Sequence, residues 1–292
     1  MFNIHQRILK RNGLNCKKLK GKNNMCKDCG CTIAGMEHHH THNHNHDHGH
    51  SHHHHHENRA IFKTTDENIK TNPLLNDSKT ISVIQKILDK NDHEAAHNRA
   101  HFDQHKVLGI NLMSSPGSGK TTLLEKLAEN CDFRFAVIEG DLETSKDADR
   151  LKAKGINAVQ IQTGSACHLD AFMVHKALHD IKLADIDVCF VENVGNLVCP
   201  ASYDVGTHLN IVLVSVPEGE DKIAKYPVMF RSADLILFTK IDLLPYFEYD
   251  IEKEKQIARK LKPNVDILEV SIKDENSLKA VIDWINFKRK MR

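Results

Sequence analysis

The 292-residue sequence has few aromatic residues, almost no net charge and no long apolar run. Phe, Trp and Tyr make up 5% of the residues, and Trp284 is the single tryptophan. Lys and Arg number 40 against 39 for Asp and Glu, which argues against a basic surface for nucleic acid or anionic lipid. No apolar stretch approaches the ~20 residues of a membrane-spanning helix, and the N-terminus lacks the apolar core of a secretory signal. We therefore expect a cytoplasmic protein that binds neither nucleic acid nor membrane.

Eight cysteines are present, and in a reducing compartment they are more naturally thiols or metal ligands than disulfides. Cys26, Cys29 and Cys31 lie within six residues, and Gly30 lets the backbone fold so that three thiolates can share one metal ion. A redox pair or a chance cluster is the alternative, but no βαβ unit follows the motif, which favours metal. Met25 directly precedes the motif, and a start there would add a free amine as a ligand.

Histidine is the compositional anomaly, with 22 residues, of which thirteen fall in the tract His38–His56. Such a tract cannot bury a core, and we expect residues 1–78 to form a disordered N-terminal region. Imidazoles at this density bind late first-row cations such as Ni²⁺ with low affinity, so the tract is predicted to store or buffer metal. An expression tag is less consistent with the interleaved Asn, Asp and Thr residues.

One later stretch has the form of a phosphate-binding loop. The apolar run Val107–Met113 is followed by a turn of Ser, Pro and Gly and by a helix that begins near Lys120. Glycines let backbone N–H groups turn around an anion, and the helix presents its positive end to it. We predict Lys120 at the terminal phosphates and the Thr121 hydroxyl on Mg²⁺; the alternative is an ordinary strand–helix connection. The predicted loop residues are Pro116, Gly117, Ser118, Gly119, Lys120, Thr121 and Thr122, with Ser114 where the strict pattern has glycine.

Residues 79–292 are predicted to form one α/β domain of the P-loop NTPase type. Short runs rich in Val, Ile and Leu alternate with stretches of helical spacing, which indicates a mostly parallel sheet covered by helices on both faces. The functional site is then expected at the carboxyl ends of the strands. The predicted strands after the first are 135–139, 158–161, 188–194, 211–216, 235–239 and 267–270.

Two helices are predicted before the phosphate loop, separated by a stop signal at Asn91-Asp92. In the second helix His93, His97, His101 and His105 recur every four residues and share one face. A metal-binding ridge is conceivable there, but a solvated or partner-facing polar face is the favoured interpretation.

Acidic residues at two strand ends are candidates for the catalytic centre. Asp141 lies in a carboxylate-rich loop after the second strand, where a metal-sensing switch would sit. Glu192 ends a hydrophobic strand and is followed three residues later by Gly195, which fits a sensor of Mg²⁺ and the γ-phosphate. A lone solvated acid is the alternative; together with the phosphate loop, the catalytic role is favoured.

Residues after two later strands are predicted to bind the base. Asp242 can accept from both N1–H and the N2 amino group of guanine, which adenine does not offer, and Lys240 would lie along the ring. The usual signature begins with Asn where this chain has Thr239. Ser271 and Ile272 follow the last strand, where a further base-contacting loop belongs. A Lys–Asp surface pair is the alternative, and GTP over ATP is the expectation.

A second metal site is predicted from Cys167, His168 and Cys199. The first two form a thiol–imidazole pair at a strand-to-helix junction, and Cys199 follows the Glu192–Gly195 sensor. If the two loops are neighbours, the three side chains converge on one ion and leave a position open or waiting for a second subunit. Cys199 would then couple metal occupancy to the nucleotide state.

With these motifs in place, the chain resembles the HypB family of hydrogenase nickel-incorporation GTPases over residues 25–292. The resemblance rests on Cys26–Cys31, the histidine tract, Asn91-Asp92 with Asn98-Arg99, Ser114–Thr122, Glu139–Asp141, Cys167–Asp170, Glu192–Pro200, Glu218–Asp221 with Lys225–Pro227, and Thr239–Asp242. It implies a SIMIBI-class P-loop GTPase that forms a homodimer with GTP and helps deliver Ni²⁺ to NiFe-hydrogenase. The implied partners are HypA, the chaperone SlyD and the hydrogenase large subunit.

The resemblance also assigns residues. It places a high-affinity nickel site on Cys26, Cys29 and Cys31, and a Ni²⁺ or Zn²⁺ site shared across the dimer on Cys167, His168 and Cys199. Lys120 and the backbone amides 117–120 would stabilise phosphoryl charge, while Thr121, Asp141 and Glu192 would govern Mg²⁺. No arginine finger or glutamine-like water positioner is evident, so slow turnover is expected.

Two other functions remain open from the sequence. A urease nickel chaperone of the UreG type shares the GTPase core, but its metal motif is Cys-Pro-His, whereas Cys199-Pro200 is followed here by Ala201. The other is a nickel-storage protein whose GTPase core serves only as a dimerisation switch.

Overall fold

The structure is a computed structural model that describes residues 78–141 and 146–292. The Cys26–Cys29–Cys31 motif and the His38–His56 tract lie outside the described residues, as do Met25 and the linker that follows the tract. The hypotheses about these segments therefore stay predictions.

Seven parallel strands form one sheet with the order β3-β2-β4-β1-β5-β6-β7. The strands are β1 (Leu108–Ser114), β2 (Phe135–Asp141), β3 (Asn157–Gln162), β4 (Val188–Glu192), β5 (Leu209–Ser215), β6 (Leu235–Thr239) and β7 (Asp266–Val270). All seven predicted strands are confirmed, with ends that differ by at most two residues. β1 lies between β4 and β5, so the carboxyl ends of the central strands meet where the chain reverses direction across the sheet, which is the usual ligand crevice of such folds.

Helices cover both faces of the sheet because alternate side chains of each strand point to opposite sides. Along β4, Val188 and Phe190 belong to one hydrophobic cluster, and Cys189 and Val191 to another. The α-helices are α1 (Ser78–Gln104), α2 (Lys120–Asn130), α3 (Lys146–Ala153), α4 (Ala171–Leu178), α5 (Lys222–Lys225), α6 (Pro227–Ser232), α7 (Ile251–Leu261) and α8 (Glu275–Lys290). Among the described helices none is long and apolar enough to cross a membrane. The predicted α/β architecture is confirmed.

The predicted break at Asn91-Asp92 is wrong, because α1 is one continuous helix from Ser78 to Gln104. Asn91 is buried and does not cap a local helix end. Its Nδ2 donates to the carbonyl of Asp204 at 2.9 Å, and its Oδ1 accepts from the backbone N–H of Ala171 at 2.9 Å. Asparagine competes with helical backbone bonding only when its side chain bonds locally. Here distant elements satisfy it, so the helix continues.

The prediction of a solvated or partner-facing histidine face on α1 is also wrong for part of that face, which packs against another helix of the same chain. His101 is 7% exposed and His97 is half-buried, and the rings of both lie against His175 of α4, at centroid distances of 5.4 and 5.2 Å. His93, one turn earlier, is exposed. The four-residue spacing is real, but two of its members face another helix.

Candidate nucleotide and metal site

The phosphate loop connects β1 to α2, as the sequence predicts. Gly117 and Gly119 have φ of +77° and +99°, the left-handed backbone region that favours glycine. They let the chain turn so that α2 begins at Lys120, and the first amides of a helix have no partner within it. A helix N-terminus behind left-handed glycines is a ready site for phosphate.

Lys120 is 9% exposed, and its Nζ donates to Ser114 Oγ at 3.1 Å. Burial lowers the pKa of Lys120, while nearby carboxylates, Glu192 first among them, oppose this shift. Ser114 occupies the position where the strict pattern has glycine. Its hydroxyl holds the lysine in place, so the departure from the pattern is compatible with a phosphate loop and adds a contact to it.

Three oxygen-bearing side chains meet beside the phosphate loop. Thr121 Oγ1 donates to Glu192 Oε1 at 2.8 Å, and Glu139 lies next to Glu192 in the register of β2 and β4. Both glutamates are buried, with exposed fractions of 3% for Glu139 and 4% for Glu192. Within the part of the chain that the structure describes, the Oε2 atoms of both glutamates are buried and have no hydrogen-bond partner. Oxygen ligands of this kind suit Mg²⁺, so the residues present fit the ion that the fold implies. Asp141 ends β2 two residues beyond Glu139.

The loop after β4 runs directly against the phosphate loop. A Cβ on Gly195 would lie 2.9 Å from the Cα and the backbone nitrogen of Pro116, so only glycine allows this approach. The structure thus brings the predicted γ-phosphate sensor to the predicted phosphate site. Arg150 Nη2 of α3 donates to Thr122 Oγ1, in the first turn of α2, at 3.5 Å.

The predicted base-binding residues lie together and are tied to the phosphate loop. Thr239 Oγ1 donates to the carbonyl of Ser118 at 2.8 Å, and Lys240 Nζ donates to the carbonyl of Gly117 at 2.7 Å. Asp242 Oδ1 accepts from Ser271 Oγ at 2.9 Å, which joins the loops after β6 and β7. Thr239 therefore has a structural role in linking β6 to the phosphate loop.

Asp242 is held as an anion. Hydrogen bonds from Lys273 and Ser271, in that order, lower the pKa of its carboxyl, and the Lys273 ion pair is 2.7 Å long. Ile272 lies between these two residues and is 45% exposed. The predicted base-binding loops thus offer an anionic carboxylate and an exposed apolar side chain.

Cys167, His168 and Cys199 converge, with one potential ligand atom from each within 4.8 Å of the others. The Cys167 and Cys199 Sγ atoms are 2.8 Å apart, and His168 Nδ1 lies 3.9 Å from Cys167 Sγ. Burial lowers the pKa of His168, whose neutral ring stacks on Tyr203 at 4.0 Å. The hydrogen bond with Cys167, followed by burial, raises the pKa of the Cys199 thiol. A bound divalent cation has the opposite effect: it stabilises the thiolate and so lowers the pKa of the thiol.

Two asparagines connect the thiol cluster to the loop after Glu192. Asn193 Oδ1 accepts from the backbone N–H of Leu169 at 3.1 Å, and Asn196 Nδ2 donates to the carbonyl of Cys167 at 3.4 Å. The segment that leaves Glu192 is therefore bonded on both sides of His168. A shift of this segment must move at least one of the predicted metal ligands.

The family model of the CobW/HypB/UreG nucleotide-binding domain matches residues 108–269. The chain belongs to the CobW/HypB/UreG family. Among HypB proteins, the hydrogenase/urease maturation factor HypB of Helicobacter hepaticus is 50% identical over 228 residues, which cover 77% of this chain and 94% of the relative. The hydrogenase maturation factor HypB of Escherichia coli K12 is 45% identical over 219 residues, 74% of this chain and 76% of the relative.

Solved HypB structures share the fold of this family member. The crystal structure of HypB from Helicobacter pylori in complex with nickel has a TM-score of 0.68 and 47% identity, and the match covers 69% of this chain and 96% of that one. HypB from Archaeoglobus fulgidus has a TM-score of 0.65 and 36% identity, covering 69% of this chain and 100% of that one. Family and fold therefore agree with the resemblance drawn from the motifs.

Sequence reasoning missed one residue of the site in this HypB-family chain. Glu139 belongs to the Glu139–Asp141 motif of the family resemblance, but no role in the site is predicted for it. Like Glu192, it is an acid at the carboxyl end of an apolar run. Burial, followed by the Glu192 and Asp141 carboxyls, raises the pKa of Glu139 to about 8. The same criterion that selected Glu192, an acid at the carboxyl end of an apolar strand, would have found it.

The raised pKa of Glu139 predicts a pH-dependent stability. In the folded protein Glu139 keeps its proton up to about pH 8, whereas in the unfolded chain it releases the proton above pH 4.5. Its contribution to the free energy of unfolding is therefore fully present below pH 4.5 and is lost as the pH rises to about 8. In metal-free buffer we expect Glu139→Gln to melt above wild type at pH 8 by roughly 2–4 °C for each kcal/mol recovered. The difference should shrink steadily toward pH 5, as measured by thermal melting.

Glu129→Gln is the matched control. Hydrogen bonds from Lys126 and Lys154 lower the pKa of Glu129 to about 2, so it titrates below this pH range. Its melting difference from wild type should be constant between pH 5 and 8. A constant difference for Glu139→Gln would show that Glu139 is ionised in the folded protein.

Proposed function

We propose that this chain is a GTP-hydrolysing nickel metallochaperone that acts in the maturation of NiFe-hydrogenase. The names of its HypB relatives and the nickel in the Helicobacter pylori HypB structure support the process and the metal. The observation that carries the proposal is the hydrogen-bonded connection between the Cys167–His168–Cys199 cluster and the segment that leaves Glu192. One chain thus has a binding site for the metal cargo, formed by two thiols and an imidazole, and a nucleotide-sensing segment that is hydrogen-bonded to that site.

GTP hydrolysis needs charge stabilisation more than covalent chemistry. Lys120 and the amides at the start of α2 would stabilise charge on the γ-phosphoryl group of GTP. Transfer of that group to water gives phosphate and leaves GDP. Thr121, Asp141 and Glu192, with Glu139 behind them, are the residues that would hold Mg²⁺. The ion supplies charge neutralisation on the phosphate oxygens. No water-positioning residue is assigned, which is consistent with slow turnover and with a role as a timer.

Ni²⁺ is the cargo rather than a resident cofactor. Two thiols and one imidazole give three ligands, which leave a coordination position that a second copy of the chain can complete. We therefore propose a GTP-dependent homodimer whose shared site takes Ni²⁺ or Zn²⁺. Cys26, Cys29 and Cys31 form the tight nickel site in this proposal, and the His38–His56 tract a weak reservoir. HypA, SlyD and the hydrogenase large subunit are the proposed partners, on the family resemblance.

The deciding experiment is a nickel titration of the full chain with GDP and with a non-hydrolysable GTP analogue. The thiolate-to-nickel absorption reports only cysteine sites, so the histidine tract does not contribute. We expect two thiolate sites, of which one is lost in the Cys26/Cys29/Cys31→Ala variant. The remaining site should weaken at least tenfold in Cys199→Ala, because one of its three ligands is gone, and its affinity should depend on the nucleotide. Cys131→Ala is the matched control, since Cys131 bonds the carbonyl of Phe133 away from the cluster.

Storage and urease maturation are the competing functions. If the affinity of the thiol cluster is identical with GDP and with the GTP analogue, the coupling is absent, and storage with a switch-like GTPase core becomes the better account. Urease is the second candidate recipient, since the Helicobacter hepaticus relative is named for both enzymes. Activity of each nickel enzyme in a strain carrying Lys120→Ala would separate the two recipients.

A further inference from the structure

Four histidines from two helices form a cluster that the proposed nucleotide and thiol sites do not use. His97 and His101 belong to α1, and His175 and His179 lie four residues apart at the end of α4. Neighbouring ring centroids are 4.9 to 6.4 Å apart. One ring nitrogen from each of His97, His101 and His175 lies within 4.8 Å of the others. His101 and His175 are buried, with exposed fractions of 7% and 8%.

Asn98 fixes which nitrogen of His175 faces the cluster. The two Nδ2 hydrogens of Asn98 are donated to the carbonyls of Ala171 (2.7 Å) and Val205 (3.1 Å), which sets the orientation of the amide. Its Oδ1 then lies 3.0 Å from His175 Nδ1, so that Nδ1 must carry the proton and donate it. The Nε2 lone pair of His175 is left pointing into the cluster. Metal-ligating histidines usually donate their second ring N–H to an oxygen acceptor, and Asn98 Oδ1 provides such an acceptor here.

The distance between the rings of α4 also suits a metal. His175 Nε2 and His179 Nε2 are 3.3 Å apart. Two nitrogens bound to one tetrahedral Zn²⁺ at about 2.0–2.1 Å lie roughly 3.3–3.4 Å from each other. Imidazole nitrogen is a ligand that Zn²⁺, Ni²⁺ and Cu²⁺ all accept. Burial, followed by the three neighbouring histidines, lowers the pKa of His175 to about 4, so this ring is neutral and ligand-competent at pH 7.

We propose that His97, His101 and His175, with His179 at the solvent edge, form a further divalent-cation site that clamps α1 to α4. Its ligands are all imidazoles, so it takes a borderline cation such as Zn²⁺ independently of the thiols. The proposal goes beyond the proposed function. The position of the histidine site matters for that function, because α4 begins directly after Cys167–Asp170. The thiol cluster lies at the N-terminal end of α4 and the histidines at its C-terminal end. A metal at the histidines would therefore hold the helix that supports the thiol site.

Hydrogen exchange of the full chain with and without Zn²⁺ tests the site, because the readout is local and the N-terminal ligands do not interfere. With free Zn²⁺ at ten times the Kd of the site, the amides of residues 94–104 and 171–179 should exchange about tenfold more slowly, because the bound ion stabilises the contact between α1 and α4. The slowing should vanish in His97→Gln and in His179→Gln, two positions at the less buried side of the cluster. It should persist in His93→Gln, the exposed histidine one turn earlier on the same helix.

A thiol-free variant separates this site from the proposed cargo site. In Cys167→Ser/Cys199→Ser the Zn²⁺-dependent slowing should remain, with His97→Gln abolishing it again in that background. If the slowing disappears with the thiols, the ion lies at the cysteine cluster and the histidine site is wrong. Equal slowing in wild type and in both histidine variants, or none in wild type, would also overturn it. Failure of nickel coupling in the titration above would leave this result unchanged.

Discussion

Replacing Lys120 with methionine should lower kcat for GTP hydrolysis about 10²–10³-fold, the loss typical when one preorganised charge-stabilising donor is removed. Methionine keeps the length and the apolar stem, but it lacks the charge that faces the phosphoryl group. Lys120 is buried at the start of α2, where its Nζ is held by Ser114 Oγ. Because the charge is already in place before the substrate binds, its removal acts on the chemical step.

Stability should respond very differently from catalysis. Burial disfavours the charged lysine and lowers its pKa, so methionine removes an unfavourable desolvation; the loss of the attraction to Glu192 opposes this gain. We expect the melting temperature of Lys120→Met to stay within a few degrees of wild type. Lys126→Met is the matched control: it lies on the same helix, its side chain is 36% exposed, and it pairs with Glu129 at 2.7 Å. A fall in kcat of less than tenfold for Lys120→Met, or an equal fall for Lys126→Met, would remove Lys120 from the catalytic centre.

Features set by local chemistry were predictable from the sequence. The phosphate loop depends on Gly117 and Gly119 and on the strand and helix around them, all of which are visible as a pattern. The sheet follows from apolar runs that are continuous because both faces are covered. Cys167, His168 and Cys199 could also be brought together, because parallel strands place the loops at their carboxyl ends along one edge.

Features set by distant partners were not predictable. Asn91 looks like a helix stop in sequence, but its side chain bonds Asp204 and Ala171, more than 75 residues away along the chain. The histidines of α1 recur every four residues, but this spacing does not indicate that they pack against His175 and His179 of a second helix. Thr239 looks like a weakened base-binding signature until its hydroxyl is found on the carbonyl of Ser118. In each case the partner of the polar side chain lies on an element that is distant in sequence, and the local sequence pattern does not predict where that element packs.

Asp242→Ala should abolish discrimination between guanine and inosine nucleotides and weaken GTP binding about 10²–10⁴-fold, because two hydrogen bonds to a charged acceptor contribute about 1.5–3 kcal/mol each. The carboxylate is held in place by Ser271 and Lys273, so little ordering is needed when guanine binds. Nucleotide affinities measured by calorimetry for GTP, ITP and ATP provide the test. ITP lacks the N2 amino group, so wild type should bind it about tenfold to a hundredfold more weakly than GTP.

The pattern across the three nucleotides decides whether Asp242 reads the base. Asp242→Ala should bind GTP and ITP with equal affinity, because both lose their bonds to the carboxylate, while the affinity for ATP, which offers neither donor, should change little. Asp283→Ala removes an exposed carboxylate paired with Lys279 on α8 and serves as the matched control. Lys273→Ala is the second comparison: exposed ion pairs contribute little, so GTP binding should be nearly retained when only this partner of Asp242 is lost. An equal loss for all three nucleotides would mean that Asp242 holds the loop after β6 against the loop after β7 instead of contacting the base. Specificity for GTP would then have to come from other groups of these loops, such as Ser271 and the backbone beside it.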